Sequence, residues 1–172
     1  MIMQSKSSLD VLIRNAALNE ASAIASVLRQ AFVEYESLYT PAAFAATTPS
    51  TSQIAARWSE GPVWVAVQNR NIVGTVAAVP KSLSLYIRSM AVLPIARGQG
   101  IGVKLLKEVE SFAMNNQYRR LFLSTTPFLE QAIRLYERFG FQRTDEGRLD
   151  LFGTPLFTME KSLHLKAKES LV

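Results

Sequence analysis

The chain has 172 residues, no cysteine and a single histidine, His164, and its 19 Lys and Arg outnumber 14 Asp and Glu for a net charge of +5. Zero cysteines exclude disulfides, thiol catalysis and thiolate-bound metal, and one histidine cannot build a metal cluster, so no metal is expected. No apolar run approaches the roughly eighteen residues of a membrane span, and residues 1–9 lack the apolar core of a secretory signal, so a cytoplasmic protein with no membrane partner is expected.

Residues 11–16 read as a first strand. Asn15 or Asn19 is placed to cap a following helix, whose Ile24, Val27, Leu28, Ala31 and Phe32 recur at helical spacing. Residues 35–52, rich in Tyr, Ala, Thr and Pro, read as an irregular or short-helical connection, and 54–58 as one more helical turn. Strands over 63–67 and 72–79 flank Gln68-Asn69-Arg70-Asn71, a hairpin signal. Residues 83–92 form the next strand, which runs into glycines. A helix leaves them, with Val103, Leu105, Leu106, Val109, Phe112 and Ala113 on one face to about residue 117.

Further on, 121–125 is a short strand ended by Pro127, and 128–139 has helical periodicity with Gly140 as its stop. Residues 142–151 and 157–163 are expected to pair across Phe152-Gly153-Thr154-Pro155. There is no repeat and no linker. The order predicts one α/β domain over residues 1–172, with a core over about 11–163: a mixed sheet covered by helices.

The chemistry concentrates in Arg97-Gly98-Gln99-Gly100-Ile101-Gly102, between a strand and a helix start. First-turn N–H groups lack intrahelical partners, the helix dipole adds positive potential, and glycine lets a phosphate approach the backbone. A Walker loop is excluded, because no Gly-Lys-Ser/Thr ending follows a glycine at the required spacing. The dinucleotide fingerprint needs G-x-G-x-x-G, and here the spacing is G-x-G-x-G. On these six residues alone, an anion site and a plain tight turn are equal readings. The dispersed positive charge contains no basic–aromatic motif, so no nucleic-acid partner is expected. Positive potential near Arg97 and Lys104 suits a phosphate-bearing small molecule.

Arg97-x-x-Gly100-x-Gly102 after Ser89-Met90-Ala91-Val92 resembles the acyl-CoA signature Q/R-x-x-G-x-G/A of the GCN5-related N-acetyltransferases (GNAT). Ala132-Ile133-Arg134-Leu135-Tyr136-Glu137-Arg138-Phe139-Gly140-Phe141 is similar to the same family's A-x-x-L-Y-x-x-x-G-F. The resemblance implies a mixed, mostly antiparallel sheet with helices on both faces. It also implies acetyl-CoA-dependent transfer, by direct attack, to a primary amine of a small molecule or peptide. Met90, Ala91 and Val92 would then hold pantetheine through their main chains. The amides of Arg97, Gly98, Gln99, Gly100, Ile101 and Gly102 would cradle the pyrophosphate, and Tyr136 would sit as general acid beside the sulfur.

The sequence departs from the family at two places. No carboxylate lies on the strand before the glycines; Glu34 is the candidate base, with Glu36 beside it and Asp145, Glu146 and Asp150 on the opposite hairpin, while a water chain or an amine that arrives neutral would need none of them. Leu129 stands where the family often has asparagine, so either Thr125 or Thr126 compensates or the contact is absent, and the Thr-Pro pair reads equally as a helix-start signal. Tyr35, Tyr39 and Phe44, with Phe152, Pro155 and Phe157, read equally as walls of an apolar acceptor pocket and as loop packing. A non-catalytic acyl-CoA-binding module is the alternative function. Pairing with a second copy is common in the family, although no stretch here marks an interface.

Overall fold

The computed structural model describes residues 10–144 and 149–165. Eight strands form one mixed sheet in the order β1-β2-β3-β4-β5-β8-β6, with β7 also on β8. They are β1 (Leu12–Asn15), β2 (Val63–Gln68), β3 (Asn71–Lys81), β4 (Ser84–Val92), β5 (Arg120–Thr125), β6 (Gln142–Arg143), β7 (Leu149–Leu151) and β8 (Thr154–Ser162). Among the described residues, only the central β4–β5 pair is parallel; every other ladder is antiparallel. The long helices are α1 (Ala21–Phe32), α4 (Ile101–Asn115) and α5 (Glu130–Phe139). Two short ones, α2 (Pro41–Thr47) and α3 (Thr51–Ala56), occupy the connection after α1.

Strand alternation assigns the layers. On β2, Trp64 and Ala66 face the core under α4, while Val65, with Val63 and Val67 beside it, packs with α1 and α3. The apolar stripe predicted for α4 is the buried one, with Leu105, Leu106, Val109 and Ala113 fully covered. The hairpin after β2 turns on Asn69 and Arg70, both at positive φ (51° and 64°), which matches the twist of the flanking strands. Gly140, at φ 103°, ends α5.

Two expectations need correction and an open one is decided. Neither Asn15 nor Asn19 caps α1: a 3-10 turn, Leu18–Glu20, leads straight into it, and the Glu20 carboxylate accepts a bond from the Ala17 amide at 2.8 Å. Of the two readings of the connection after α1, irregular or short-helical, the structure shows the second. A 3-10 helix (Val33–Leu38) is followed by α2, capped by Thr40, and α3, capped by Ser50. Finally, β8 starts at Thr154, because the tight turn needs only Phe152 and Gly153, at φ 47° and 92°.

One irregularity shapes the functional region. β4 and β5 pair only from Ser84–Arg120 to Tyr86–Phe122. Beyond that point β4 carries a bulge: Ala77 opposes Arg88 and Thr75 opposes Ala91, so Ser89 and Met90 together face Val76. Ser89 takes φ 50°, a left-handed value that non-glycine residues rarely adopt. Such a bulge bends its strand. β5 continues on β8 as far as Thr125, and a split opens between the two central strands.

Candidate active site

The split is continued by the glycine turn. Gly98 and Gly100 both sit at left-handed φ (78° and 74°), and a Cβ on either would meet nothing within 4 Å. Glycine is required there by the backbone conformation and not by crowding. The turn leaves its donors available. Among the described residues, no amide from Gly98 to Val103 donates a hydrogen bond, and the first to do so is Lys104, to the Gly100 carbonyl at 3.1 Å. Six successive free N–H groups at the positive end of a fifteen-residue helix make a concentrated anion-binding surface. Gly102 is needed for another reason: a Cβ there would lie 2.7 Å from Leu135 Cδ2, so this glycine lets α4 and α5 approach.

The turn forms one side of a cleft of about 410 Å³. Met90, Ala91 and Val92 all border it. Successive side chains on a strand point to opposite faces, so three in a row can border one cavity only along the strand's edge, where its main chain lies. This edge is the stretch of β4 that β5 no longer pairs. The far wall is α5, which contributes Gln131, Arg134, Leu135, Tyr136 and Arg138. Ala31, Phe32 and Tyr35 close the cleft from the end of α1. Among the described residues, three arginines (97, 134 and 138) and no carboxylate line it, although Arg97 is paired with Glu34 at its rim, so the lining favours negative charge.

Tyr136 borders the cleft although its side chain is almost wholly covered, with its ring 5.9 Å from that of Phe141. Burial, reinforced by nearby Tyr39, pushes its phenol up to about 12. It therefore stays neutral and keeps its proton throughout the physiological range.

Several predicted residues lie elsewhere. Gln99 lines no part of the cleft; its side-chain oxygen accepts from Gln68 Nε2 at 2.8 Å. Thr125 is buried in β5 opposite Phe157, also outside the lining. Glu34 is tied to Arg97, with Nη1 2.5 Å from its Oε1, while Arg97 Nη2 donates to the Ala31 carbonyl at 3.0 Å. Leu129 does line the cleft. Asp150 is exposed on β7, and Asp145 and Glu146 lie outside the described residues.

Of the predicted acceptor aromatics, Tyr35 alone reaches the cleft. Tyr39 and Phe44 are buried behind it in a cluster with Phe128, whose ring sits edge-on to Tyr39 at 4.8 Å. Phe157 is buried under the Arg143 guanidinium, and Phe152 is exposed on its hairpin. The Thr40 hydroxyl latches this region to that hairpin through the Phe152 carbonyl at 2.8 Å. Phe32, Arg134 and Arg138 were missed from the sequence. The two arginines, four apart on the helix face that carries Gln131 and Leu135, were a readable signal.

The acetyltransferase (GNAT) family model matches residues 28–141. Over 140 residues the chain is 30% identical to YjgM of Escherichia coli K12, an uncharacterized N-acetyltransferase, a match spanning 78% of this chain and 83% of that protein. The PaiA N-acetyltransferase of Thermoplasma acidophilum, solved in complex with coenzyme A, superposes with a TM-score of 0.75 at 16% identity, over 90% of this chain and 99% of that one. A GNAT family acetyltransferase from Elizabethkingia anophelis with acetyl-CoA bound gives 0.66 at 22% identity, over 89% and 98%. These two likenesses establish the fold, including the mixed sheet in a single domain. With more than half its length under the family model, the chain belongs to the GNAT acetyltransferase family.

Proposed function

We propose that this protein is an acetyl-CoA-dependent N-acetyltransferase acting on a primary amine of a small molecule or peptide. The observation that carries the reading is the run of unpartnered amides from Gly98 to Val103 beside a cleft whose described lining holds three arginines and no acid. That donor set fits the phosphates of coenzyme A, and the open main-chain edge at Met90 to Val92 fits the amides of its pantetheine arm. Bound acetyl-CoA supplies the activated acyl group as a thioester.

Tyr136 is proposed to donate a hydrogen bond to the sulfur. A phenol near 12 is a poor acid towards a thiolate whose thiol has an ordinary pKa near 8.5. Full proton transfer between them is uphill by about 5 kcal/mol, at roughly 1.4 kcal/mol per unit. The proton that sulfur needs is better supplied by the attacking nitrogen: its bond to the acyl carbon forms, the carbon–sulfur bond breaks, and the nitrogen's surplus proton ends on sulfur. Among the described residues no carboxylate lines the cleft, and Glu34 is engaged by Arg97, so the amine is proposed to arrive already neutral. Phe32 and Tyr35 provide an apolar acceptor wall, and the arginines oppose a polycationic acceptor.

Thermal unfolding with acetyl-CoA and with coenzyme A tests the binding half. A ligand at a hundred times its dissociation constant raises stability by about 2.7 kcal/mol. Thiol release with 2-phenylethylamine, phenylalanine amide and spermidine tests transfer, and the first two should exceed the third. No shift at saturating acetyl-CoA removes the reading altogether. A shift with no thiol release towards any amine replaces it with the non-catalytic binding module.

A further inference from the structure

The Arg97 side chain is not extended into the cleft as a free cation. Its guanidinium makes two bonds to one segment: Nη1 to Glu34 at 2.5 Å, and Nη2 to the Ala31 carbonyl at 3.0 Å. Ala31 lies in the last turn of α1, where carbonyls carry the negative end of the helix dipole, and Glu34 lies in the 3-10 helix that continues it. The residues flanking these two anchors, Phe32 and Tyr35, form the apolar wall of the cleft. Arg97 itself adjoins Gly98, the first residue of the free-amide run. One side chain therefore joins the glycine turn to the opposite wall. α1 approaches the sheet by packing on β3 and β4, and the 3-10 helix that follows has no buried residue of its own.

We propose that Arg97 is a positioning residue, a strut that fixes the Phe32–Tyr35 wall relative to the glycine turn, with Glu34 as its structural partner. The proposal rests on the acetyltransferase reading for its functional consequence. It corrects the expectation that the Arg97 amide joins the phosphate cradle: that amide donates to the Pro94 carbonyl at 3.3 Å, so Arg97 acts through its side chain, which sets the geometry of the acceptor wall. It also gives Glu34 a role other than that of a base. The Arg134 and Arg138 guanidiniums are left as the cleft's other cations, Arg134 with only a 3.4 Å contact to exposed Glu130.

The test is a double-mutant cycle with R97A, E34A and R97A/E34A, plus the R97K variant and the charge swap R97E/E34R. Amide hydrogen exchange over residues 32–38 reads the wall directly and needs no acceptor. Acetyl-CoA affinity and the KM for 2-phenylethylamine read the consequence. Each single substitution should speed exchange over 32–38 several-fold and raise the amine KM by about three- to tenfold, the scale of a partly exposed ion pair with one added hydrogen bond. Acetyl-CoA affinity should change less than threefold in E34A. The double variant should be no worse than R97A, while R97K and the swap should recover part of the loss.

Additive effects, or unchanged exchange over 32–38 in E34A, overturn the strut. A tenfold loss of acetyl-CoA affinity in R97A, with E34A unaffected over 32–38, makes Arg97 a phosphate ligand instead. A collapse of kcat in E34A that R97A does not share makes Glu34 the base. Wild-type protein that neither binds acetyl-CoA nor releases thiol would sink the acetyltransferase reading, while the exchange data would still judge the strut.

Discussion

The two walls of the cleft are built by different means. The glycine wall is backbone: six free amides, two left-handed glycines and a strand edge exposed by a bulge. The acceptor wall is side chain: Phe32 and Tyr35, backed by Tyr39, Phe44 and Phe128 and tied down by one guanidinium. A backbone site needs a few residues with special φ angles and tolerates almost anything else. A side-chain site can change its specificity one residue at a time without disturbing the fold. Each wall should therefore fail in its own way.

The largest effect is expected at Gly100. A β-branched side chain at φ 74° strains the left-handed turn by about 1–2 kcal/mol and fills space that is open now. Gly100→Val should weaken acetyl-CoA binding about a hundredfold, as would the loss of one or two charge-assisted hydrogen bonds. Tyr35→Ala should leave that affinity within about threefold, because side-chain truncation there spares the amides. Calorimetric titration of both variants checks the pair. Equal losses would mean that the walls do not divide the labour.

Tyr136 lies at the junction of the two, and its effects should fall on chemistry. Tyr136→Phe should lower kcat by about ten- to a hundredfold, the range of one preorganised donor, with acetyl-CoA affinity nearly unchanged. The same phenol predicts an alkaline stability change. Its pKa is about 12 when folded, against the usual 10. Its contribution is complete below pH 10 and is lost as pH rises through 12, at a cost of roughly 2–3 kcal/mol. Denaturant unfolding between pH 9 and 12 should show a shallower decline in Tyr136→Phe than in wild type.

The contrast also explains what the sequence could reveal. Gly98 and Gly100 were legible because a left-handed φ favours glycine, and the two signatures gave the order of elements around them. Tyr136 was legible through its Leu-Tyr and Gly-Phe neighbours. The acceptor wall was not, because Tyr35, Tyr39 and Phe44 have the same composition whether they face a cleft or each other; tertiary packing decides, and it turns two of the three inward. Gln99 and Thr125 stood within or near the right motifs, yet local contacts with Gln68 and with β8 take them out of the lining. The Arg97–Glu34 tie spans 63 residues of chain, and no local pattern encodes such a distance.

A smaller effect separates the proposed chemistry from an enzyme-supplied base. If the amine arrives neutral, kcat/KM should rise with pH along a limb set by the acceptor's own pKa. It should show no downturn from Tyr136, which keeps its proton to about pH 12. With phenylalanine amide, the weaker base, that limb should move to lower pH than with 2-phenylethylamine. A limb that stays fixed for both acceptors would locate the titrating group in the protein.

The smallest effect is expected at Gly102, where the backbone wall meets α5. Its added Cβ would press on Leu135 Cδ2, the far end of a flexible side chain, and would meet Met90 Cε only at an ordinary 3.5 Å. Gly102→Ala should therefore cost less than about 1 kcal/mol of stability, since one rotamer change relieves the contact. Any loss of acetyl-CoA affinity should be only a few-fold. Combining it with Leu135→Ala tests the cause, because the clash then has no partner and the double variant should be no less stable than Leu135→Ala alone. If Gly102→Ala instead weakens acetyl-CoA as strongly as Gly100→Val, with the Leu135 change giving no relief, then Gly102 serves ligand approach and the anion site extends one residue further into α4.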